Sequence, residues 1–184
     1  MSAAAVEEII RADPIALEQL HQVRSAGPAA AFIAAGFVRN RVWDRLYQPA
    51  PEAPENDVDV VYFCSDSSMP DQDFAYEAAL KKLAPGVEWQ VRNQARMHSF
   101  GGYPPFSSIK EALMHWPETA TSVGVRLLVD GSMEFIAPFG FDDLMSHNLR
   151  ITPAMKVHDA VVFEKRLAVK GWEKRWPNLK VIRE

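Results

Sequence analysis

A short apolar segment that carries two aspartates is the feature that most limits how this chain can fold. Residues 57–63 read DVDVVYF, a composition typical of a β-strand. Because successive strand side chains point to opposite faces, Asp57 and Asp59 are expected on the same face. Two like charges there repel each other, whereas paired carboxylates suit a divalent cation with oxygen ligands. The segment therefore predicts a metal site for Mg²⁺ or Mn²⁺ at Asp57 and Asp59.

The chain around this strand is acidic over a long stretch. Residues 46–80 contain no Lys or Arg. Their carboxylates are Glu52, Glu55, Asp57, Asp59, Asp66, Asp71, Asp73 and Glu77. Such a run attracts cations, and it repels itself when they are absent.

The overall composition is that of an ordinary globular chain. With 184 residues and 48% hydrophobic content, residues 1–184 are expected to form a single domain. The lone cysteine, Cys64, cannot form an internal disulfide and is interpreted as a small buried hydrophobe rather than a reactive thiol. A reducing, cytoplasmic location is expected. No apolar run is long enough for a membrane span, and Glu7 and Glu8 argue against a signal peptide.

Caps, breakers and periodicity give the order of the elements. Two helices are expected within residues 1–28, and a helical extension within 150–184 that includes one long helix over 153–170. Further helices are expected over 37–47 and 70–83, and strands over 57–63, 89–97, 123–129 and 134–137. This order predicts an α/β or α+β fold with a small mixed sheet and helices mainly on one face. The other face would be free for chemistry.

The charge distribution limits the possible partners. The net charge of −4 argues against broad nucleic-acid binding by charge alone. Residues 165–184 are nevertheless basic, with seven Lys and Arg against two Glu. This end is interpreted as a solvated helix face, with contacts to phosphates or RNA as the weaker alternative.

The order of glycine, helix and aspartate strand indicates polyphosphate chemistry. Gly36 lets the backbone approach a triphosphate at a helix start, where the helix dipole favours an anion. Asp57 and Asp59 on the next strand would then hold Mg²⁺ against the same phosphates. Together, these two features predict binding of a triphosphate group.

Five stretches of the chain carry a resemblance to a known family. They are residues 35–44 (AGFVRNRVWD), 56–63 (NDVDVVYF), 91–98 (VRNQARMH), 116–126 (WPETATSVGVR) and 137–144 (APFGFDDL). On these residues the chain resembles the bacterial nucleotidyltransferase-like family from about residue 35 to 176. The resemblance implies a nucleotidyltransferase fold, metal binding by Asp57 and Asp59, and phosphate contacts from Gly36, Arg39 and Asn40. It implies no particular acceptor.

The second strand is expected to complete the site. Asn93 occupies the place where the family's pattern has a third carboxylate, and an amide can ligate a metal but cannot act as a base. Glu118 or Asp142 could supply the missing carboxylate from another element. The alternating residues Arg92, Gln94, Arg96 and His98 form either a nucleotide-binding face or a solvated sheet face.

Two functions follow from these residues. The first is metal-dependent transfer of a nucleoside monophosphate from a nucleoside triphosphate to an unknown acceptor hydroxyl. The second is a non-catalytic nucleotide-binding module of the same fold. The second is motivated by Asn93 and by Phe37, which follows Gly36 where active nucleotidyltransferases have a serine.

Overall fold

A five-stranded mixed sheet with helices packed mainly against one face forms the centre of the molecule. In the computed structural model the described residues are 3–51, 57–66 and 70–184. Glu52, Glu55 and Asn56, which belong to the acidic stretch and to one motif of the resemblance, lie outside the described residues.

Helices and strands alternate along the first half of the chain and are mixed in the second. The helices are α1 Ala3–Arg11, α2 Pro14–Ala26, α3 Gly36–Asp44, α4 Asp71–Leu83, α5 His98–Gly101, α6 Ile109–Met114, α7 Asp142–Met145, α8 Pro153–His158, α9 Ala160–Lys170 and α10 Trp172–Arg175. The strands are β1 Phe32–Ala34, β2 Val58–Tyr62, β3 Trp89–Asn93, β4 Gly124–Leu127, β5 Met133–Ile136, β6 Asn148–Arg150 and β7 Lys180–Ile182. The predicted α+β class is confirmed.

The strand order in the main sheet is β3-β2-β1-β4-β5. Strands β2 and β3 run parallel, and all other neighbours in this sheet run antiparallel. The parallel register places Asp59 opposite Gln90 and Val61 opposite Arg92. These four side chains therefore share one face of the sheet. Strands β6 and β7 form a separate parallel pair.

The two faces of the sheet are covered unequally. Val58, Val60 and Val91 are buried in the large core cluster, together with apolar residues of α1 to α4. On the opposite face, the buried cluster holds only Phe32, Ala34 and Val61, with a few partly buried neighbours. The second face is thus left accessible around Asp59.

The C-terminal segment packs into the same large core. Phe163, Leu167 and Trp172 are buried with the sheet residues rather than projecting as a separate arm. The helix predicted over 153–170 is two helices, which are separated by the non-helical backbone of Asp159 (φ −156°, ψ 72°). Arg166 and Lys170 of α9 and Trp172 and Arg175 of α10 line the same cavity as Asp59. Among the described residues, no helix is both long and apolar enough to cross a bilayer.

Candidate active site

The two aspartates of β2 lie in a cleft on the accessible face of the sheet. Asp57 immediately precedes the strand, and Asp59 is partly buried within it. The Gln90 amide donates a hydrogen bond to Asp57 Oδ2 at 2.6 Å. No described donor lies within hydrogen-bonding distance of the Asp59 carboxylate. Burial, followed by repulsion from Asp57, raises the pKa of Asp59 to about 6. An incompletely partnered carboxylate pair of this kind fits a hard divalent cation, which needs only one or two carboxylates when phosphates supply the other ligands.

The N-terminus of α3 forms the adjacent wall of the cleft. Gly36 is its first residue, and Ala35 before it has a positive φ of 55°. That backbone conformation is unfavourable for a residue with a Cβ. A Cβ on Gly36 would lie 3.5 Å from the Asn40 amide and 3.7 Å from the Arg39 guanidinium. Glycine therefore leaves free the space in front of these two polar groups.

Arg39 is the most enclosed cation of the site. Only 7% of it is exposed, and its guanidinium lies 5.6, 4.8 and 5.5 Å from the ring centres of Trp43, Trp172 and Trp176. It donates two hydrogen bonds to Asn40 Oδ1. Among the described residues it forms no ion pair. Burial lowers the pKa of Arg39 to about 10, and the charge of Glu118 opposes this effect. The group is thus positive at neutral pH and held by aromatic faces.

Three further cations come from the C-terminal segment and were not among the residues predicted for the site. Arg166 pairs with Glu118 at 2.6 Å, and Arg175 pairs with Asp44 at 2.7 Å. The second terminal nitrogen of Arg175, Nη1, is buried without a partner among the described residues. Lys170 forms no ion pair with a described carboxylate and lines the same cleft. The only sequence signal for these groups was the basic composition of residues 165–184.

The cleft has two halves that share Asp59 and Arg166. The basic half has a volume of about 300 Å³ and contains Gly36, Arg39, Asn40, Asp57, Lys170 and Arg175. The aromatic half has a volume of about 640 Å³ and continues along β2 and β3 past Val61, Arg92 and Gln94. It is walled mainly by Phe100, Tyr103, Phe106, His115, Trp116 and His158. Of the predicted nucleotide-binding residues, Gly36, Arg39 and Asn40 therefore lie beside the aspartates, whereas Arg92 and Gln94 lie in the aromatic half.

Asn93 does not lie beside the aspartates. It is fully buried on the opposite face of β3, the face of Trp89 and Val91. Its side-chain oxygen accepts hydrogen bonds from the backbone N–H groups of Cys64 and Ala95, and its nitrogen donates to the Cys64 carbonyl. The amide thus stabilises the chain after the two strands, and its orientation leaves no ligand for a metal at Asp59.

Arg96 and His98 also differ from their predicted positions. The strand ends at Asn93, and a turn of 3₁₀ helix over Gln94–Arg96 follows. The alternation of faces therefore stops before these two residues. Arg96 forms an ion pair with the buried Asp73, and His98 Nδ1 donates to the Ala95 carbonyl at 2.8 Å. Neither residue lines the cleft.

The two candidates for a third carboxylate are in different situations. Glu118 is fully buried, and both of its oxygens are taken by Arg166, with Thr121 donating to one of them. Asp142 begins α7 and is outside the residues that line either half of the cleft. Within the described ranges, no group of three or more His, Cys, Asp or Glu side chains is arranged to hold a metal ion. Among the described residues, Asp57 and Asp59 are thus the candidate protein ligands for a cation.

Comparison with known proteins gives the family. The sequence profile of a family described as nucleotidyltransferase matches residues 21–181. The chain belongs to this nucleotidyltransferase family. The matched region includes every residue of both halves of the cleft. A comparison with functionally curated proteins gave no match.

Several solved structures are similar to this chain. An NMR structure described as a CCA-adding enzyme head domain is 30% identical, with a TM-score of 0.80, and the match covers 95% of this chain and 94% of that one. A CCA-adding enzyme in complex with CTP is 15% identical, with a TM-score of 0.62. The Thermotoga maritima CCA-adding enzyme complexed with tRNA is also 15% identical, with a TM-score of 0.60. Both matches cover 96% of this chain, which spans 43% and 42% of those enzymes, and at this identity they show a shared fold alone.

Proposed function

We propose that this protein transfers a nucleoside monophosphate from a nucleoside triphosphate to an acceptor hydroxyl in a metal-dependent reaction. The observation that carries the proposal is that two carboxylates and three cations line one cleft. The carboxylates are Asp57 and Asp59, and the cations are Arg39, Lys170 and Arg175. A metal-bound triphosphate presents cation and anion together, and therefore complements both groups of side chains at once.

In this proposal the β- and γ-phosphates lie in the basic half, against Arg39 and Arg175. The acceptor oxygen forms a bond to the α-phosphorus, while the bond from that phosphorus to the oxygen bridging the β-phosphate breaks. Pyrophosphate leaves with the electron pair of the broken bond, and the hydroxyl proton passes to water. A divalent cation held by Asp57 and Asp59 would offset charge on the phosphate oxygens. Arg39 adds a fixed positive charge that needs no rearrangement during the reaction.

The proposal is tested by following label from an α-³²P nucleoside triphosphate into acceptors in the presence of Mg²⁺. One acceptor to include is a tRNA without its 3′-terminal nucleotides, because one solved relative is described as complexed with tRNA. A set of small hydroxyl compounds forms the second group. We expect Asp59→Asn to lower the rate of label transfer at least 100-fold. A loss of about this size is typical when one group that stabilises the transition state electrostatically is removed. Asp66→Asn, an exposed carboxylate outside the cleft, is the matched control and should transfer normally.

A non-catalytic nucleotide-binding module is the second candidate. It is favoured by the position of Asn93, which points away from Asp59, and by the engagement of Glu118 with Arg166. The described residues thus provide no third carboxylate to act as a base beside the aspartates. Mg²⁺-dependent nucleotide binding, combined with no label transfer to either group of acceptors, would establish the module and exclude the transferase.

A further inference from the structure

The aromatic half of the cleft has the size and chemistry of a second binding site. Its volume of about 640 Å³ is more than that of the basic half and lies in the range of small-molecule pockets. Because Asp59 lines both halves, a ligand in the aromatic half would lie next to the Asp59 carboxylate. Neither the family profile nor the shared fold assigns a ligand to this space.

Its wall is built from a continuous group of rings. The centre of the Tyr103 ring lies 4.4 Å from the ring centres of His115 and of His158. The centre of the Phe106 ring lies 4.7 Å from that of His115. Gly101 is needed for this arrangement, because a Cβ there would overlap the Tyr103 ring. At the edge of the cavity Phe100 is 84% exposed, which leaves an aromatic surface open to a ligand.

Polar atoms in this wall suit a hydroxyl compound. The Tyr103 hydroxyl is shielded from solvent and has no partner among the described residues. His115 Nδ1 lies 2.9 Å from the Glu111 carbonyl oxygen, which can only accept a hydrogen bond. The proton is therefore on Nδ1, and Nε2 of the neutral ring can accept a hydrogen bond from a ligand. The wall thus offers both a donor and an acceptor beside aromatic surfaces.

The charges of the aromatic half argue against a polyanionic ligand. The cations among its described lining residues are Arg92 and Arg166, and each is paired with a carboxylate, Glu77 or Glu118. An RNA strand needs unpaired cations along its phosphates. In the basic half, by contrast, Lys170 and one nitrogen of Arg175 are unpaired within the described part of the chain. The two halves therefore differ in the ligands that they can hold.

The geometry of the proposed transfer reaction indicates which ligand each half of the cleft would hold. In an in-line displacement the attacking and leaving oxygens lie on opposite sides of the phosphorus. With pyrophosphate in the basic half and the α-phosphate at Asp59, the attacking hydroxyl arrives from the aromatic half. We propose that the aromatic half binds the acceptor, and that the acceptor is a small, uncharged hydroxyl compound with an aromatic ring. This inference rests on the proposed transferase function for its direction of attack.

The test measures two kinds of ligand on the same variants by NMR and calorimetry. The acceptor probes are 2-phenylethanol and 2-(4-hydroxyphenyl)ethanol, with 2-cyclohexylethanol as the non-aromatic control. The donor probes are ATP and inorganic tripolyphosphate, each with Mg²⁺. We expect the two aromatic alcohols to bind at least 5-fold more tightly than the cyclohexyl compound. Tyr103→Phe and Trp116→Phe should each weaken aromatic alcohol binding at least 3-fold and leave both donor affinities within 2-fold. Tyr76→Phe, which changes a tyrosine outside the cleft, should alter neither.

Three results would overturn the inference. If neither aromatic alcohol bound, the proposal that the aromatic half is the acceptor site would be wrong. Weaker binding of ATP but not of tripolyphosphate in Trp116→Phe would assign the cavity to the base of the donor. Loss of binding of an octaribonucleotide in the same variant, with no binding of the alcohols, would assign it to RNA. Failure of the proposed function itself gives a different pattern, namely no Mg²⁺-dependent binding of ATP or tripolyphosphate to the native protein.

Discussion

Arg39 combines a full positive charge with almost complete burial. Removing a charge from water is costly unless it is paired, and no ion pair from the described residues offsets this cost for Arg39. Three tryptophan faces and the Asn40 oxygen compensate in part. Its guanidinium is therefore held in one orientation before any ligand arrives. A planar cation fixed in this way is suited to two parallel hydrogen bonds with a phosphate.

Replacing Arg39 with lysine tests that geometry at constant charge. We expect Arg39→Lys to weaken binding of Mg²⁺-tripolyphosphate about 10- to 100-fold, because an ammonium group loses the bidentate contact and the stacking. Isothermal titration calorimetry measures the affinity directly. Arg45→Lys, an exposed substitution just after α3, is the control and should bind as the native protein does. Equal affinities in the two variants would contradict a role for Arg39 in phosphate binding.

Asp59 should destabilise the protein when no cation is present. Its pKa is raised from 3.8 to about 6, so the folded state holds the proton more tightly than the unfolded state does. Stability is then lost as the pH rises from about 4 to 6, and the full penalty applies above pH 6. In EDTA, we expect Asp59→Asn to raise the free energy of unfolding by about 1 to 3 kcal/mol at pH 8, and by less at pH 5.

Urea unfolding at the two pH values measures this difference. If Asp59→Asn raised the free energy of unfolding equally at pH 5 and pH 8, repulsion and burial of the ionised carboxylate would not be the source of the increase.

Ala35 carries a backbone conformation that a glycine would adopt more easily. At φ 55° and ψ −122°, the Cβ of Ala35 costs about 1 to 3 kcal/mol. Ala35→Gly should stabilise the protein by about 1 kcal/mol, after the larger chain entropy of glycine is subtracted. Ala34→Gly in the neighbouring strand position should destabilise it by about 1 kcal/mol. Thermal unfolding of both variants shows whether each substitution raises or lowers the stability. Destabilisation by Ala35→Gly would mean that the backbone conformation of Ala35 is not strained.

Among the elements, β2 and β3 show what a local pattern can predict. The two-residue period of β2 predicted that Asp57 and Asp59 lie together, and both line the basic half of the cleft. In the sequence, the same alternation of polar and apolar residues continues beyond Asn93, but β3 ends at that residue. The Asn93 side chain accepts a hydrogen bond from the Ala95 N–H and so stabilises the turn that follows. Polar and apolar residues alternate in this turn without lying on opposite faces of a strand.

The C-terminal helices show what a local pattern cannot predict. Arg166, Lys170 and Arg175 line the cleft beside Asp59, although they follow it by more than a hundred residues in the sequence. Their spacing gave no signal beyond a basic surface, since the contacts that orient them are distant in sequence. The two-helix break at Asp159 likewise has no proline or glycine to mark it. Long-range packing thus determines half of the candidate site.

An ion pair fixes α10 against α3. Asp44 accepts hydrogen bonds from the Arg175 guanidinium and from the Trp176 indole. We expect Asp44→Ala to destabilise the protein by about 2 to 4 kcal/mol, because Arg175 would be left buried without its partner. Glu164→Ala removes an ion pair with Arg183 whose side chains are 50% and 59% exposed, and should cost less than about 1 kcal/mol.

Chemical denaturation of both variants measures the two costs. If Asp44→Ala and Glu164→Ala lowered the free energy of unfolding by similar amounts, α10 would be held in place by its tryptophans and not by the ion pair of Asp44 with Arg175.

For the molecule as a whole, the opposite charges that line one cleft predict that Mg²⁺ and nucleotide bind in a linked way. A metal ion alone leaves the cations without a ligand, and a nucleotide alone meets the repulsion of two aspartates. ATP and Mg²⁺ added together should therefore raise Tm by more than the sum of their separate effects. When the free ligand concentration is about 100 times its dissociation constant, binding stabilises the folded state by about 2.7 kcal/mol. This corresponds to a rise in Tm of roughly 5 to 10 °C for a chain of this length.

Thermal unfolding with each ligand alone and with both measures this linkage. The double variant Asp57→Asn, Asp59→Asn should lose the extra shift produced by Mg²⁺. An equal shift by ATP in EDTA would contradict the linkage between the carboxylates and the cations.

The tryptophans around Arg39 give the protein a built-in optical reporter. Three of its five indoles lie within 6 Å of the guanidinium. A polyphosphate that contacts Arg39 changes the electric field at these rings, so the intrinsic fluorescence emission should shift on occupancy without any dye or radioactive tracer. Titrations of unlabelled compounds can therefore be followed in a cuvette, at protein concentrations far below those that calorimetry requires.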